Sequence, residues 1–218
     1  MPYGESSCGR YSFRLATRER LHKSLCPYLN EHLRKTWGFS GTMNRITSAQ
    51  NPRVKNAVRL RDGRQRRLQG RILIDGLREI GRALTAGVAI REVFFCPTLL
   101  TNEVGTALIA RLREAGAELL EVTENVFTKL AFGQRTDGVL AVAEPPAAEP
   151  ASLLLPDNPL VAVLEGIEKP GNVGAVVRSA DGAGLDAVVV ADPRTDLFNP
   201  NAIRASLGTI FAMPVCEA

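Results

Sequence analysis

Two short clusters near the carboxyl end hold residue types that could do chemistry. The first runs Glu165-Gly166-Ile167-Glu168-Lys169-Pro170-Gly171-Asn172 and continues through Val173, Gly174, Val177 and Arg178. It follows the apolar run Leu160 to Leu164, which reads as a buried parallel strand, so a carboxylate, an amide and a guanidinium come off the strand's end and the helix after it. Arg178 falls one helical turn beyond Gly174, where a missing side chain would leave room beside the guanidinium for a substrate or a second subunit. The same pair also reads as a packing glycine and a surface charge. The second cluster is Phe198-Asn199-Pro200-Asn201-Ala202-Ile203-Arg204-Ala205-Ser206-Leu207-Gly208. Asn199 can cap a helix, Pro200 can start it and Gly208 can end it, which leaves Arg204 and Ser206 without a structural assignment. A third feature is electrostatic. After the helix start Asn51-Pro52 come Arg53, Lys55, Arg59, Arg61, Arg64, Arg66, Arg67 and Arg71, opposed only by Asp62. Such a run is either a solvated face or a phosphate-contacting one, and the near absence of acids favours phosphate, with Arg53, Lys55, Arg59, Arg64 and Arg67 as the RNA-binding candidates.

The elements that must carry these residues alternate strand and helix. Ile72-Leu73-Ile74, Val93-Phe94-Phe95, Leu119 to Val122 and Gly138 to Ala143 read as strands. Leu77, Ile80, Leu84 and Val88 form one helical stripe, and Val104, Leu108, Leu112 and Ala115 another, closed by Gly116. Thr123 caps a short helix with Phe127 and Leu130. That order predicts a layered α/β domain of residues 43–143. Residues 144–158, with Pro145, Pro146, Pro150 and Pro156, read as an extended, solvated interdomain linker. Residues 159–218 then form a βαβ unit through Ala187-Val188-Val189-Val190. Its loops fall at the carboxyl ends of the strands, where open α/β sheets bind ligands.

Charge is divided along the chain: Met1 to Ile72 hold 16 Lys/Arg and 4 Asp/Glu, the rest 11 and 19, within an overall formal charge of +4. A clustered basic segment attracts a polyanion that the whole chain would not, so RNA or DNA leads and an anionic membrane surface follows. Residues 1–42 show no sustained period and are left as an unassigned basic extension. They are either a nucleic-acid-gripping arm or upstream sequence from a misplaced start, the second being preferred. Cys8, His22, Cys26 and His32 do not have the spacing of a usual zinc finger, and no metal is expected. The four scattered cysteines contain no Cys-x-x-Cys pair, there is no secretory signal and no apolar run long enough for a bilayer, so a cytoplasmic protein is expected.

Taken together, Glu165…Pro170-Gly171-Asn172-Val173-Gly174…Arg178…Ala180…Gly184 resembles the first motif of the SpoU (TrmH-like) RNA 2′-O-ribose methyltransferases of the SPOUT superfamily. Asn199-Pro200…Arg204-Ala205-Ser206-Leu207-Gly208…Phe211…Pro214 resembles their second, with Thr209 where alanine is common. The resemblance covers about Asn44 to Ala218. It implies a small α/β/α substrate-binding domain followed by an α/β-knot SPOUT methyltransferase domain with a parallel sheet. It also implies a homodimer, a deep trefoil knot, S-adenosylmethionine as methyl donor, and rRNA or tRNA as substrate. Arg178 would act at the ribose 2′-hydroxyl with Asn172 arranging the same site, and Glu165, Gly174, Asn199, Arg204 and Ser206 would serve as motif or substrate-binding residues. Guanidinium stays protonated, so an electrostatic role for Arg178 is easier to defend than general-base catalysis. The family's third motif, a Ser-Leu-Asn-rich segment that builds most of the methyl-donor pocket, does not follow Pro214. The domain is therefore expected to be truncated, its cofactor residues are not assignable, and affinity for the cofactor should be weak. Two other readings stay open. A non-catalytic RNA-binding module would use the first domain alone. A Rossmann-type nucleotide enzyme would use Asp192 as a ribose-binding acid, although the Gly166 to Gly171 loop lacks Gly-x-Gly-x-x-Gly.

Overall fold

The computed structural model describes residues 44–132 and 137–218. The basic extension of residues 1–42, with its cysteines and histidines, lies outside the described residues.

The first sheet has the strand order β1-β4-β3-β5-β2, built from β1 (Asn44–Ile46), β2 (Ile72–Asp75), β3 (Ile90–Phe95), β4 (Glu118–Val122) and β5 (Val139–Ala143). β1, β4 and β3 run parallel, while β5 is antiparallel to both β3 and β2. Side chains alternate across a sheet, so each face needs its own cover. On one face, α1 (Pro52–Arg59) and α5 (Glu124–Leu130) bury Val54, Ala57, Val126 and Phe127 against Leu73, Phe94, Leu120 and Leu140. The other face is covered by α3 (Leu77–Thr85) and α4 (Glu103–Glu114), which bury Ile80, Ala83, Leu108 and Leu112. The result is the three-layer α/β/α arrangement expected from the strand–helix alternation.

The basic run is not one helix. Leu60 ends α1, and Asp62 accepts from the Gln65 N–H to start α2 (Gly63–Gln69), which Gly70 closes at φ +57. In α4 the predicted stripe holds at Leu108 and Leu112, but Val104 is 70% exposed. Val104 sits in the first turn and lines a cleft of about 840 Å³ between α3, α4 and the Thr209–Phe211 turn instead of covering the sheet.

A second sheet, β6-β7-β8, is wholly parallel and comprises Val161–Glu165, Ala187–Ala191 and Val215–Glu217. Helices α6 (Pro170–Ala183) and α7 (Pro200–Ala205) pack on each other beside it. The apolar run expected as a buried strand is only half covered, because Val163 is 65% and Leu160 60% exposed. β6 is the edge strand of this sheet and none of its five residues is fully buried. The proline-rich segment is also less detached than expected. It is largely exposed, yet Pro150–Ser152 forms a 3₁₀ turn and the Ala148 carbonyl accepts from the Glu217 N–H at 2.9 Å, which ties the segment to β8.

The two sheets belong to one compact unit. α7 lies against β2, the edge strand of the first sheet, and so shields a strand edge that would otherwise be open to pairing. Gly208, at φ +83, sits against Glu79 of α3, where a Cβ would fall 2.9 Å from the Glu79 Cα. Arg82 of α3 donates to the Leu207 carbonyl at 3.3 Å.

Candidate active site

β6 and β7 deliver their carboxyl ends side by side. After Glu165 the chain turns at Gly166, whose φ of +60 favours glycine and whose N–H donates to the Ala191 carbonyl at the end of β7. Pro170 occupies the first turn of α6, and the Asn172 N–H reaches back to the Lys169 carbonyl at 3.0 Å. The loop after β7 starts at Asp192, whose N–H donates to the Ala218 carbonyl, and runs to Asn199. Loops 165–169 and 192–199 thus share one edge of a parallel sheet, the usual place for a ligand in such folds.

Gly174 has a different role from the one its spacing to Arg178 implied. A Cβ there would collide with the Ala202 carbonyl and come within 2.8 Å of both the Ala205 Cβ and the Ser206 nitrogen. No room is left for a substrate or second subunit. The space is filled by α7, and glycine is what lets α6 and α7 touch backbone to backbone. The packing alternative is the correct one for Gly174. The surface alternative describes Arg178 only in part: it is exposed, with no hydrogen bond or ion pair to any described residue, on the helix pinned to the second motif. Glu165 and Asn172 are exposed at the same edge.

The second cluster is more structural than chemical. Asn199 Oδ1 accepts from the Asn201 N–H and caps α7, with Pro200 in the first turn, as its sequence predicts. Ser206 is fully buried: its hydroxyl donates to the Ile203 carbonyl at 2.8 Å and accepts from the Gly208 N–H at 3.2 Å. A hydroxyl so occupied shapes the helix end and is withheld from a substrate. Arg204 is half-buried, and its Nη1 reaches the Phe132 carbonyl at 3.4 Å. Asp192, the acid of the Rossmann reading, stands at φ +46 with its carboxylate 3.3 Å from Arg194. It presents an ion pair where that reading needs a free ribose acceptor.

The basic candidates divide into committed and free cations. Arg53 pairs with Glu118 at 2.6 Å and lies 3.6 Å from Glu92, and the hydrogen bond to Glu118 holds its pKa above the ordinary arginine value. Burial raises Glu92 above the ordinary carboxylate range despite Arg53 beside it. Arg53 is therefore spent within the protein. Lys55, Arg59, Arg64 and Arg67 are exposed and unpaired among the described residues, and they remain available to phosphates. Three more arginines of the same run are structural, and one of them, Arg71, donates to the Glu144 carboxylate. Arg61 Nη2 donates to the carbonyls of Lys129, Leu130 and Ala131 at the end of α5, with its guanidinium 5.9 Å from the Phe132 ring centre. Arg66 is buried against Asp196. No local signal separates these from their neighbours, because their partners lie far along the chain.

The fit to a nucleoside cofactor is poor in the described residues. A Cβ at Gly166 or Gly171 would meet nothing within 4 Å, so the loop entering α6 stands open and forms no closed cradle.

Two parts of the chain match known families. Residues 159–218 match the SpoU rRNA Methylase family, and residues 51–141 match the MRM3-like substrate binding domain. Among similar proteins is the 23S rRNA (guanosine(2553)-2′-O)-methyltransferase RlmP of Bacillus subtilis, 30% identical over 173 residues, which are 79% of this chain and 64% of that protein. A solved RNA 2′-O ribose methyltransferase superposes with a TM-score of 0.70 at 40% identity, covering 80% of this chain and 65% of the other. The AdoMet-bound rRNA methyltransferase of Sinorhizobium meliloti superposes with a TM-score of 0.71 at 25% identity, covering 82% and 66%. The chain thus spans just under two thirds of each of these proteins. Among its described residues no helix is long and apolar enough to cross a membrane.

Proposed function

We propose that this chain serves methyl transfer from S-adenosylmethionine to a ribose 2′-hydroxyl of ribosomal RNA, and that Arg178 acts at the reacting oxygen. One observation carries the reading: an unpaired guanidinium stands on α6, and Gly174 locks α6 against the second motif at a ligand-accepting sheet edge. A protonated guanidinium is a poor base but a good partner for a phosphate and for the negative charge that grows on the oxygen as its proton leaves. Asn172 at the start of the same helix can orient the ribose by hydrogen bonding, and Glu165 faces the same edge as an acceptor. S-adenosylmethionine supplies the methyl group in this reading, and no step of it is assigned to the open loop at Gly166.

The first sheet with its helices, residues 43–143, is read as the RNA-binding domain, residues 144–158 as its linker and residues 159–218 as the N-terminal part of the methyltransferase domain. Lys55, Arg59, Arg64 and Arg67 hold the RNA backbone; Arg53, tied to Glu118, does not. The bacterial and mitochondrial rRNA enzymes among the relatives favour ribosomal over transfer RNA. Action in the cytoplasm and as a homodimer belongs to the same reading.

The test measures methyl transfer from labelled S-adenosylmethionine to protein-free 23S ribosomal RNA, together with RNA affinity, for the parent and Arg178→Lys. The expected result is a rate loss of about a hundredfold or more, the size seen when a charge-stabilising donor is removed, with affinity preserved. Equal turnover by the two proteins overturns the role of Arg178. Salt-sensitive RNA binding by a parent that transfers no methyl group favours the non-catalytic module.

A further inference from the structure

The basic helices meet the reaction edge through one buried arginine. Arg66 of α2 is 4% exposed. Its Nε and Nη2 lie 2.6 and 2.5 Å from Asp196 Oδ2, and its Nη1 donates to the carbonyls of Leu60 and Arg61 at 2.8 and 2.9 Å. One guanidinium therefore joins the end of α1, the body of α2 and the loop after β7, a function that its planar fork suits and an ammonium does not. The loop is held from its own side as well. Leu197 N–H donates to Glu217 Oε1 at 3.0 Å, and Asn199 N–H, at the cap of the second motif, donates to the Asp196 carbonyl at 3.1 Å.

Arg64 and Arg67 are exposed on the same seven-residue helix, three positions apart and so on one face. Whatever they hold is kept at a constant offset from the 192–199 loop. We propose that Arg66 and Asp196 are a positioning pair. Arg64 and Arg67 grip the backbone of bound RNA beside the carboxyl edge of β6 and β7, and the buried ion pair sets where that RNA lies relative to Arg178. This rests on the RNA methyl-transfer reading and assigns the pair no contact with substrate.

A purely architectural role would make stability, affinity and presentation fall together, whereas a positioning role separates them. The experiment places a photo-cross-linking side chain at Glu168, exposed in the loop entering α6, and uses protein-free 23S ribosomal RNA as the probe. The parent is compared with Asp196→Asn and Arg66→Lys. Asp196→Asn removes the charge but keeps the shape. Arg66→Lys keeps the buried charge and loses the fork, so it carries the test if Asp196→Asn does not fold. Affinity should stay within about twofold, because the four free cations that set it are untouched. Cross-linking per bound RNA should fall roughly tenfold in Asp196→Asn and less in Arg66→Lys, as expected when a reactant is displaced by an ångström or so. Unchanged cross-linking, or a loss that merely follows affinity, overturns the positioning pair while leaving the RNA reading intact. A parent that binds the RNA but gives no cross-link at Glu168 overturns both.

Discussion

Replacing Gly174 by alanine isolates the contact on which the site's geometry rests. The new methyl group would meet the Ala202 carbonyl, the Ala205 Cβ at 2.8 Å and the Ser206 nitrogen at 2.8 Å. Two of these three are backbone atoms of a helix end that Ser206 already fastens, so they cannot swing aside as a side-chain tip would. Overpacking of this kind costs about 3 kcal/mol, and removing a mid-helix glycine returns about 1 kcal/mol, leaving a net loss of roughly 2 kcal/mol. Gly182 is the internal control. It lies on the same helix, and a Cβ there meets nothing within 4 Å, so Gly182→Ala should gain about 0.5–1 kcal/mol. For a chain of this size, 1 kcal/mol moves the melting temperature by about 2–4 °C. Gly174→Ala should therefore melt roughly 4–8 °C below the parent and Gly182→Ala slightly above it. Urea unfolding at fixed temperature supplies the free energies. Gly174→Ala matching Gly182→Ala in stability would refute the close crossing of α6 and α7, and with it the argument that the helix carrying Arg178 is held against the second motif.

Three further outcomes follow from the charges and the open loop. RNA affinity should fall with salt at a logarithmic slope near −3, from about four phosphate contacts on a single strand, and replacing Arg53 by alanine should leave that slope unchanged where Arg67→Ala lowers it by about 0.7. Hydrogen bonding from Arg71, with Arg91 beside it, holds the Glu144 carboxyl below its ordinary range. Its folded state therefore binds protons less readily than the unfolded chain, and the stability it adds is present above the unfolded carboxylate pKa and lost as the pH falls through the lower folded one. Urea midpoints taken from about pH 6 to pH 3 should show Glu144→Gln with the shallower decline. Calorimetric titration of the chain with S-adenosylmethionine should show no micromolar binding, because Gly166 and Gly171 border open space; micromolar affinity would show that these loops close on the ligand.

What was legible in the sequence is what local chemistry decides. Asn51-Pro52 and Asn199-Pro200 start helices because a cap and a fixed φ need no distant partner, and both caps formed as read. The strand–helix alternation was equally plain, since one face of each helix must be apolar to cover a sheet. Partner choice was not legible. Arg53, Arg61, Arg66 and Arg67 look alike in a basic run, yet Glu118, the carbonyls ending α5, Asp196 and solvent receive them respectively. Those partners are set by how the layers stack. The glycine at 174 was ambiguous for the same reason: space beside a glycine is a property of whatever packs there, here α7. β1 is not legible because three residues carry too short a period to register, and the run through Val163 reads as a buried strand because an apolar run does not say how many of its faces are covered.

In the proposed reaction the reacting atom is a ribose oxygen, brought to Arg178 by RNA held on α1 and α2. A methylated 2′-oxygen cannot attack its neighbouring phosphate, so the linkage survives alkali. Incubating protein-free 23S ribosomal RNA with the protein and S-adenosylmethionine supplied far above the micromolar range, followed by alkaline cleavage and mapping, should reveal an alkali-resistant linkage with the parent and none with Arg178→Lys. Methylation that leaves every linkage alkali-labile, or resistance that persists in Arg178→Lys, would contradict it.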